Sequence, residues 1–153
     1  MTANTSDRQL AILRNTMKFF TPFHSWVLRT TRGRVGQRWS TTRLPLLILT
    51  TTGRRSGEPR TTVLGYVEVG ENLVVVASKG GLPEHPAWYL NLVANPEVTV
   101  ELHGSRRTMR ARIAQSDERD RLWKTITTLD PRFISYQAGV RRQIPVVVLE
   151  PEA

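Results

Sequence analysis

"LLILTTTGRRSGEPRTTVLGYVEVGENLVVVASK", Leu46 to Lys79, carries three apolar, β-branched runs divided by two polar breaks. "LLILTTT" reads as a buried strand. "TTVLGYVEV" reads as a second strand, and Gly70-Glu71-Asn72 turns it into a third, "LVVVASK". These runs predict an antiparallel meander. The first break is unusual. A solvated hairpin tip commonly takes Asn-Gly or Asp-Gly. "GRRSG" with Arg60 instead puts three positive charges and a hydroxyl within seven residues.

Downstream, "GGLPEHP" breaks the sheet, and "AWYLNLVA" predicts a short helix with Pro86 at its start and Asn95-Pro96 beyond its end. "VTVEL" and "TMRARIA" are two more strands joined at Gly104. Ser116 is expected to cap a helix running to about Leu129, with Asp117 and Glu118 in its first turn, where acids suit the dipole. "PRFISYQAG" is a short turn or helix, and "IPVVVLEP" a last strand. Upstream, Ser6 to Gln9 reads as a capping box before an apolar stripe of Leu10, Leu13, Met17 and Phe20. Thr21-Pro22 is a second helix start, and "RGRVGQRW" is loop. The fold class expected is α+β: a mainly antiparallel barrel of about six strands, with an N-terminal helix and two or three peripheral helices. Strands and helices do not alternate as a doubly wound sheet requires. One domain spans 1–153, with 1–45 a helical and basic segment and 46–153 the barrel.

The chain has no cysteine, which excludes disulfides, thiolate metal sites and cysteine nucleophiles. His24, His85 and His103 show no metal spacing and receive no role. No apolar run approaches a membrane span, and the N-terminus lacks the pattern of a secretory signal, so a cytoplasmic protein is expected. Net charge is +9, unevenly spread: ten Arg or Lys and no carboxylate lie between Asp7 and Glu58. Such asymmetry suits an anionic partner, or simply a solubilising surface. The N-terminal helix, with Arg14 and Lys18 opposite its apolar stripe, is expected to fold onto the barrel or the substrate pocket. Peripheral contact with an anionic membrane is the alternative. Nucleic acid is disfavoured, because the strands lack the interleaved aromatics that stack bases.

"GRRSG" alone reads as a solvated hairpin, and "SKGG", Ser78 to Gly81, as a loop. On one rim of a barrel they would combine cations, hydroxyls and glycine-freed amides, the parts of a phosphate cradle. Neither matches a P-loop or a dinucleotide fingerprint. Trp88 and Tyr89 read as core aromatics, and Trp26, Trp39 and Trp123 as packing.

"LLILTTTGRRSGEPR" followed by "ASKGGLPEHPAWYLNLVANPEVTVEL" resembles the deazaflavin-dependent nitroreductase family of actinobacteria, which is similar to the flavin-binding split β-barrels and uses coenzyme F420. The resemblance is close from Leu46 to Leu102 and weaker beyond. It implies coenzyme F420 as cofactor in preference to FMN. Its phosphodiester and oligoglutamate tail would be held by Arg54, Arg55, Ser56 and Arg60, with Ser78, Lys79 and Gly80 closing the cradle. Thr61, Thr62, Val63 and Leu64 of the second strand, with Val76 and Ala77 of the third, would line the ring. Ala87, Trp88 and Asn91 would border it, with Phe133 nearby. It further implies hydride transfer to a small acceptor: a quinone, an enone or a nitroaromatic. Tyr136 would be a catalytic hydroxyl on the substrate side. The segment from Asp130 to Tyr136 has fewer tyrosines than nitroimidazole-activating relatives, and Val63 stands where relatives often have proline. A coenzyme or fatty-acid carrier of the same fold, without turnover, is the competing expectation.

Overall fold

The computed structural model describes residues 43–152. The helix and basic loop expected before residue 43 lie outside the described residues. Seven strands form one antiparallel sheet: Leu46–Thr52 (β1), Pro59–Gly65 (β2), Val67–Val69 (β3), Asn72–Val76 (β4), Glu97–Leu102 (β5), Ser105–Ile113 (β6) and Val146–Pro151 (β7). Three helices are Ala87–Ala94 (α1), Ser116–Leu129 (α2) and Arg132–Ala138 (α3).

The strand order is β2-β1-β5-β6-β7-β4-β3, so β2 and β3 occupy opposite edges of the sheet. Yet only Tyr66 separates them in sequence. Successive Cα atoms lie about 3.8 Å apart, so the two edges must come together. The sheet is therefore curled into a barrel, left unzipped between β2 and β4. The single second strand and the meander expected from the sequence do not form. "TTVLGYVEV" is two strands broken at Tyr66, and the third run pairs with β3 and β7 rather than lying beside β2. The expected six strands become seven because closure bends one of them.

Burial explains the sequence pattern. Leu73 and Val75 of β4, with Val147 and Leu149 of β7, face the barrel interior, where Leu47, Leu49, Val98, Val100 and Met109 also pack. Their neighbours Val74, Val76, Val146 and Val148 face the other way, onto Leu122 and Ile126 of α2. Both faces are covered, so β4 and β7 read as unbroken apolar runs. On β6 only alternate positions, Met109 and Ala111, are buried, and Arg106, Arg107, Arg110 and Arg112 are among the rest.

The start of α2 departs from expectation. Ser116 is its first residue, at φ 47°, and no side-chain cap bond forms there. The end is pinned instead by Arg112, which grips Glu118 through two bonds of 2.6 and 2.7 Å and also bonds Glu150 of β7. A fork against a carboxylate is stronger and more directional than a single hydroxyl.

Candidate active site

Pairings β1–β5, β5–β6, β6–β7 and β7–β4 are all antiparallel, so β1 and β4 run in the same direction. Their C-terminal ends therefore share one rim. The 53–58 turn leaves β1 there, and the 77–86 loop leaves β4 there. The two sequence stretches open onto one rim, though by strand parity around the barrel rather than through a meander. α1 caps this end, sinking Trp88 and Leu92 into the interior cluster.

The first turn is stiff at its base. Gly53 N–H bonds Glu58 O at 2.8 Å, and Gly57 N–H bonds Gly53 O at 2.8 Å. A Cβ on Gly53 would meet Ser56 Oγ at 2.7 Å, which explains glycine at that position. Asn91 of α1, 4% exposed, accepts from Arg54 N–H at 3.1 Å and donates to Thr51 Oγ1 at 3.2 Å. Thr51 in turn donates to Arg60 O at 3.4 Å. Above this brace, Arg54, Arg55 and Arg60 are exposed. Ser56 Oγ accepts from Glu58 N–H and Arg60 Nη2, which leaves its own proton to donate outward.

The second turn is strained. Ser78 is right-handed (φ −79°, ψ −31°), then Lys79, Gly80 and Gly81 all have positive φ, at 50°, 63° and 78°. A right-handed residue followed by a left-handed one converges successive amide N–H groups into an anion-binding nest. Glycine adopts such angles freely; lysine does so at a cost of about 1–3 kcal/mol, so the surrounding structure must hold it. Gly81 is also required sterically, since a Cβ there would lie 3.1 Å from Tyr136 Cδ1. Lys79 Nζ reaches Glu84 at 3.5 Å.

Not every expected residue faces the rim. Ser78 is 8% exposed, Ala77 0% and Val76 9%; Ala77 faces the barrel interior and Val76 the α2 side. Trp88 is buried in the core as an ordinary packing aromatic. Asn91 is spent on the brace. Ala87 and Gly80 are exposed, and Thr61, Thr62, Val63 and Leu64 form a half-buried wall. Tyr136 rests on Gly81, edge-on to Phe133 at 5.8 Å between centroids, and Phe133 meets Trp123 at 6.5 Å.

Two residues were missed. Arg142 bonds the carbonyls of Ala77, Ser78 and Leu82, and His85 Nδ1 at 3.2 Å. The second arginine of "VRRQIP", set between Arg141 and Gln143, carries no sequence signal of that reach. Arginine only donates, so Nδ1 of His85 accepts and its ring is neutral. Burial first, then the Arg142 charge, pushes the His85 pKa below its ordinary value. The unfolded chain then holds the extra proton in the window from the ordinary histidine value down to the folded one. Stability attributable to His85 is thus fully present above about pH 6.5 and is lost as pH falls through that window. Thermal melts of the wild type and His85→Asn between pH 7.5 and 5 should show the wild type losing more stability; parallel curves would refute the coupling.

Among the described residues, no cluster of three or more His, Cys, Asp or Glu could hold a metal ion. No helix among them is long and apolar enough to cross a membrane. The segment expected to touch a membrane lies outside the described residues.

The curled, unzipped antiparallel sheet places the protein in the split-barrel class. The chain belongs to the F420H(2)-dependent quinone reductase family, whose model matches residues 21–151. It is 41% identical over 129 residues to an F420H(2)-dependent quinone reductase of Mycobacterium tuberculosis (strain H37Rv), covering 82% of this chain and 86% of that one. Among solved structures, an F420-H2 dependent reductase, FDR-A, is 39% identical with a TM-score of 0.64, covering 69% of this chain and 94% of that one. A domain-swapped dimer is 36% identical with a TM-score of 0.65, covering 82% and 98%.

Proposed function

We propose that this protein binds reduced coenzyme F420 across the rim and passes its hydride to a quinone. The single observation that carries the reading is the strained Ser78–Gly80 nest, on the same rim as Arg54, Arg55 and Arg60, in a chain of this family. The residues present fit the coenzyme. Nest amides, the Lys79 ammonium, the Ser56 hydroxyl and exposed guanidiniums suit a phosphodiester with an acidic tail. Thr61 to Leu64 of β2 offer a half-buried wall to a planar ring. β2 is an edge strand, so alternate backbone groups point away from β1 and can meet the ring's polar edge.

When bound, the reduced deazaflavin supplies a hydride, and with one proton a quinone becomes a hydroquinone. The protein's part is position, dryness and the proton. Arg54, Arg55 and Lys79 fix the anionic end, which sets where the ring lies along β2. Tyr136, seated on Gly81 beside Phe133, would present its hydroxyl on the acceptor side as proton source. The family's description names quinone alone, so a quinone is the acceptor proposed, ahead of enones or nitroaromatics.

The test adds purified protein to reduced F420 and menadione and follows return of the oxidised coenzyme's absorbance. Binding without that return would make this a carrier and end the reductase reading. Tyr136→Phe keeps the ring packing against Gly81, so coenzyme affinity should stay within about twofold while turnover drops roughly tenfold or more. Lost coenzyme binding in this variant would overturn the role given to Tyr136.

A further inference from the structure

We infer that Arg142 is the positioning residue of the anion cradle: its guanidinium, reaching in from the strap before β7, holds the Ser78–Gly81 turn in the conformation that forms the nest. The geometry is specific. Arg142 Nη2 bonds Ser78 O at 3.0 Å and Leu82 O at 3.2 Å; Nη1 bonds Ala77 O at 3.2 Å; Nε bonds Leu82 O at 3.3 Å. These carbonyls flank Lys79, Gly80 and Gly81 on both sides, so one rigid fork fixes where the turn begins and ends. Gly81 N–H closes the turn onto Ser78 O at 3.0 Å, and the carbonyls drawn to one side leave the amides of Lys79 and Gly80 to converge on the other. Lys79 at φ 50° needs such over-determination, because a lysine freed from it would relax toward negative φ.

Arg142 is itself held. Gln137 of α3 donates from Nε2 to Arg142 O at 2.8 Å and accepts from Ile144 N–H at 2.9 Å, which fixes the strap. Pro145 O accepts from Ala77 N–H at 2.9 Å, so strap and turn are tied at a second point. Around the guanidinium stand the charged or titratable groups His85 and Glu84 of the loop, Tyr89 of α1, and Lys79, which pairs with Glu84. Burial makes this charge costly to place, yet it is placed where it grips carbonyls rather than solvent. Lysine is no equivalent: it is a point charge and lacks the planar fork.

This inference rests on reading Ser78–Gly80 as the anion cradle, and the experiment separates the two. Fluorescence titration is run with intact F420 and with its deazaflavin riboside, which has the ring but neither phosphate nor tail. Arg142→Gln should lower F420 affinity by roughly tenfold relative to the riboside, whose affinity should hold within about twofold. Arg142→Lys, the variant most certain to fold, should recover only part of that ratio. Loss of folded protein would lower both affinities together and leave the ratio alone, so a general structural role does not mimic the result. Lys79→Ala serves as control. If it shifts the ratio and neither Arg142 variant does, Arg142 loses its assignment. If Lys79→Ala also leaves the ratio unchanged, the cradle and the inference fall together.

Discussion

Lys79→Ala is expected to weaken F420 binding by about 1–3 kcal/mol, roughly 5- to 150-fold, while the melting temperature barely moves. The two halves of that result have separate causes. Lys79 pairs with Glu84 at 3.5 Å, and the two side chains are 26% and 50% exposed. Exposed pairs of this kind contribute about 0–1 kcal/mol, so their loss costs the fold little. Alanine keeps a Cβ and so bears the same backbone strain at φ 50°, leaving the turn neither freed nor newly strained. An anion in the nest, by contrast, loses a charge-assisted partner in a place the buried Ser78 and the loop partly screen from water. Arg55→Ala should act in the same direction. Because both cations would address one tail, the double variant should lose less than the sum of the single losses. The binding isotherm should also become less steep in salt once a cation is gone. Unchanged affinity in Lys79→Ala, with a normal melt, would remove this turn from the coenzyme site.

Much of this architecture was legible because each signal was local. Strand runs, the Pro86 start of α1, the Gly104 hairpin and the helix ending at Leu129 depend on residues within a few positions of one another. What escaped was set by distance. The break at Tyr66 exists because the sheet closes, and closure is a property of seven strands together, not of "LGYVE". Ser116 has the residue type of a cap, but the helix start is held by Arg112 on Glu118, with the same guanidinium also bonded to Glu150, remote in sequence. The candidate site divides in the same way. Its cations and glycines announced themselves through composition. Arg142 lies more than sixty residues from the carbonyls of Ala77 and Ser78, and no spacing rule links them. The resemblance puts Asn91 at the ring, while its amide bonds Arg54 and Thr51; a motif residue looks the same in sequence whether it touches a ligand or braces the loop that does.

That brace predicts the second large effect. Asn91→Leu should destabilise the fold by about 2 kcal/mol and also weaken F420 binding, though it removes no charge. Leucine keeps the branched four-atom skeleton and is somewhat bulkier, so no cavity forms and the loss is chiefly polar. Arg54 N–H loses its acceptor at 3.1 Å, and Thr51 Oγ1, 1% exposed, loses its donor at 3.2 Å. The Thr51 hydroxyl keeps its own bond to Arg60 O, so the orphaned Arg54 amide dominates the cost. Freed at its base, the 53–58 turn would spread Arg54 and Arg55 over many positions, and the coenzyme would have to reorder them on binding. Thr51→Val alone strands the Asn91 amide and the Arg60 carbonyl. The double variant removes both members of the Thr51–Asn91 bond at once, so its cost should fall short of the two single costs added together. Strict additivity in denaturant melts would mean that these side chains do not act as a unit. The coenzyme measurement asks something further: if stability drops while affinity for F420 stays at the wild-type value, the turn does not need Asn91 to present its arginines, and the link from α1 to the cationic rim is only structural.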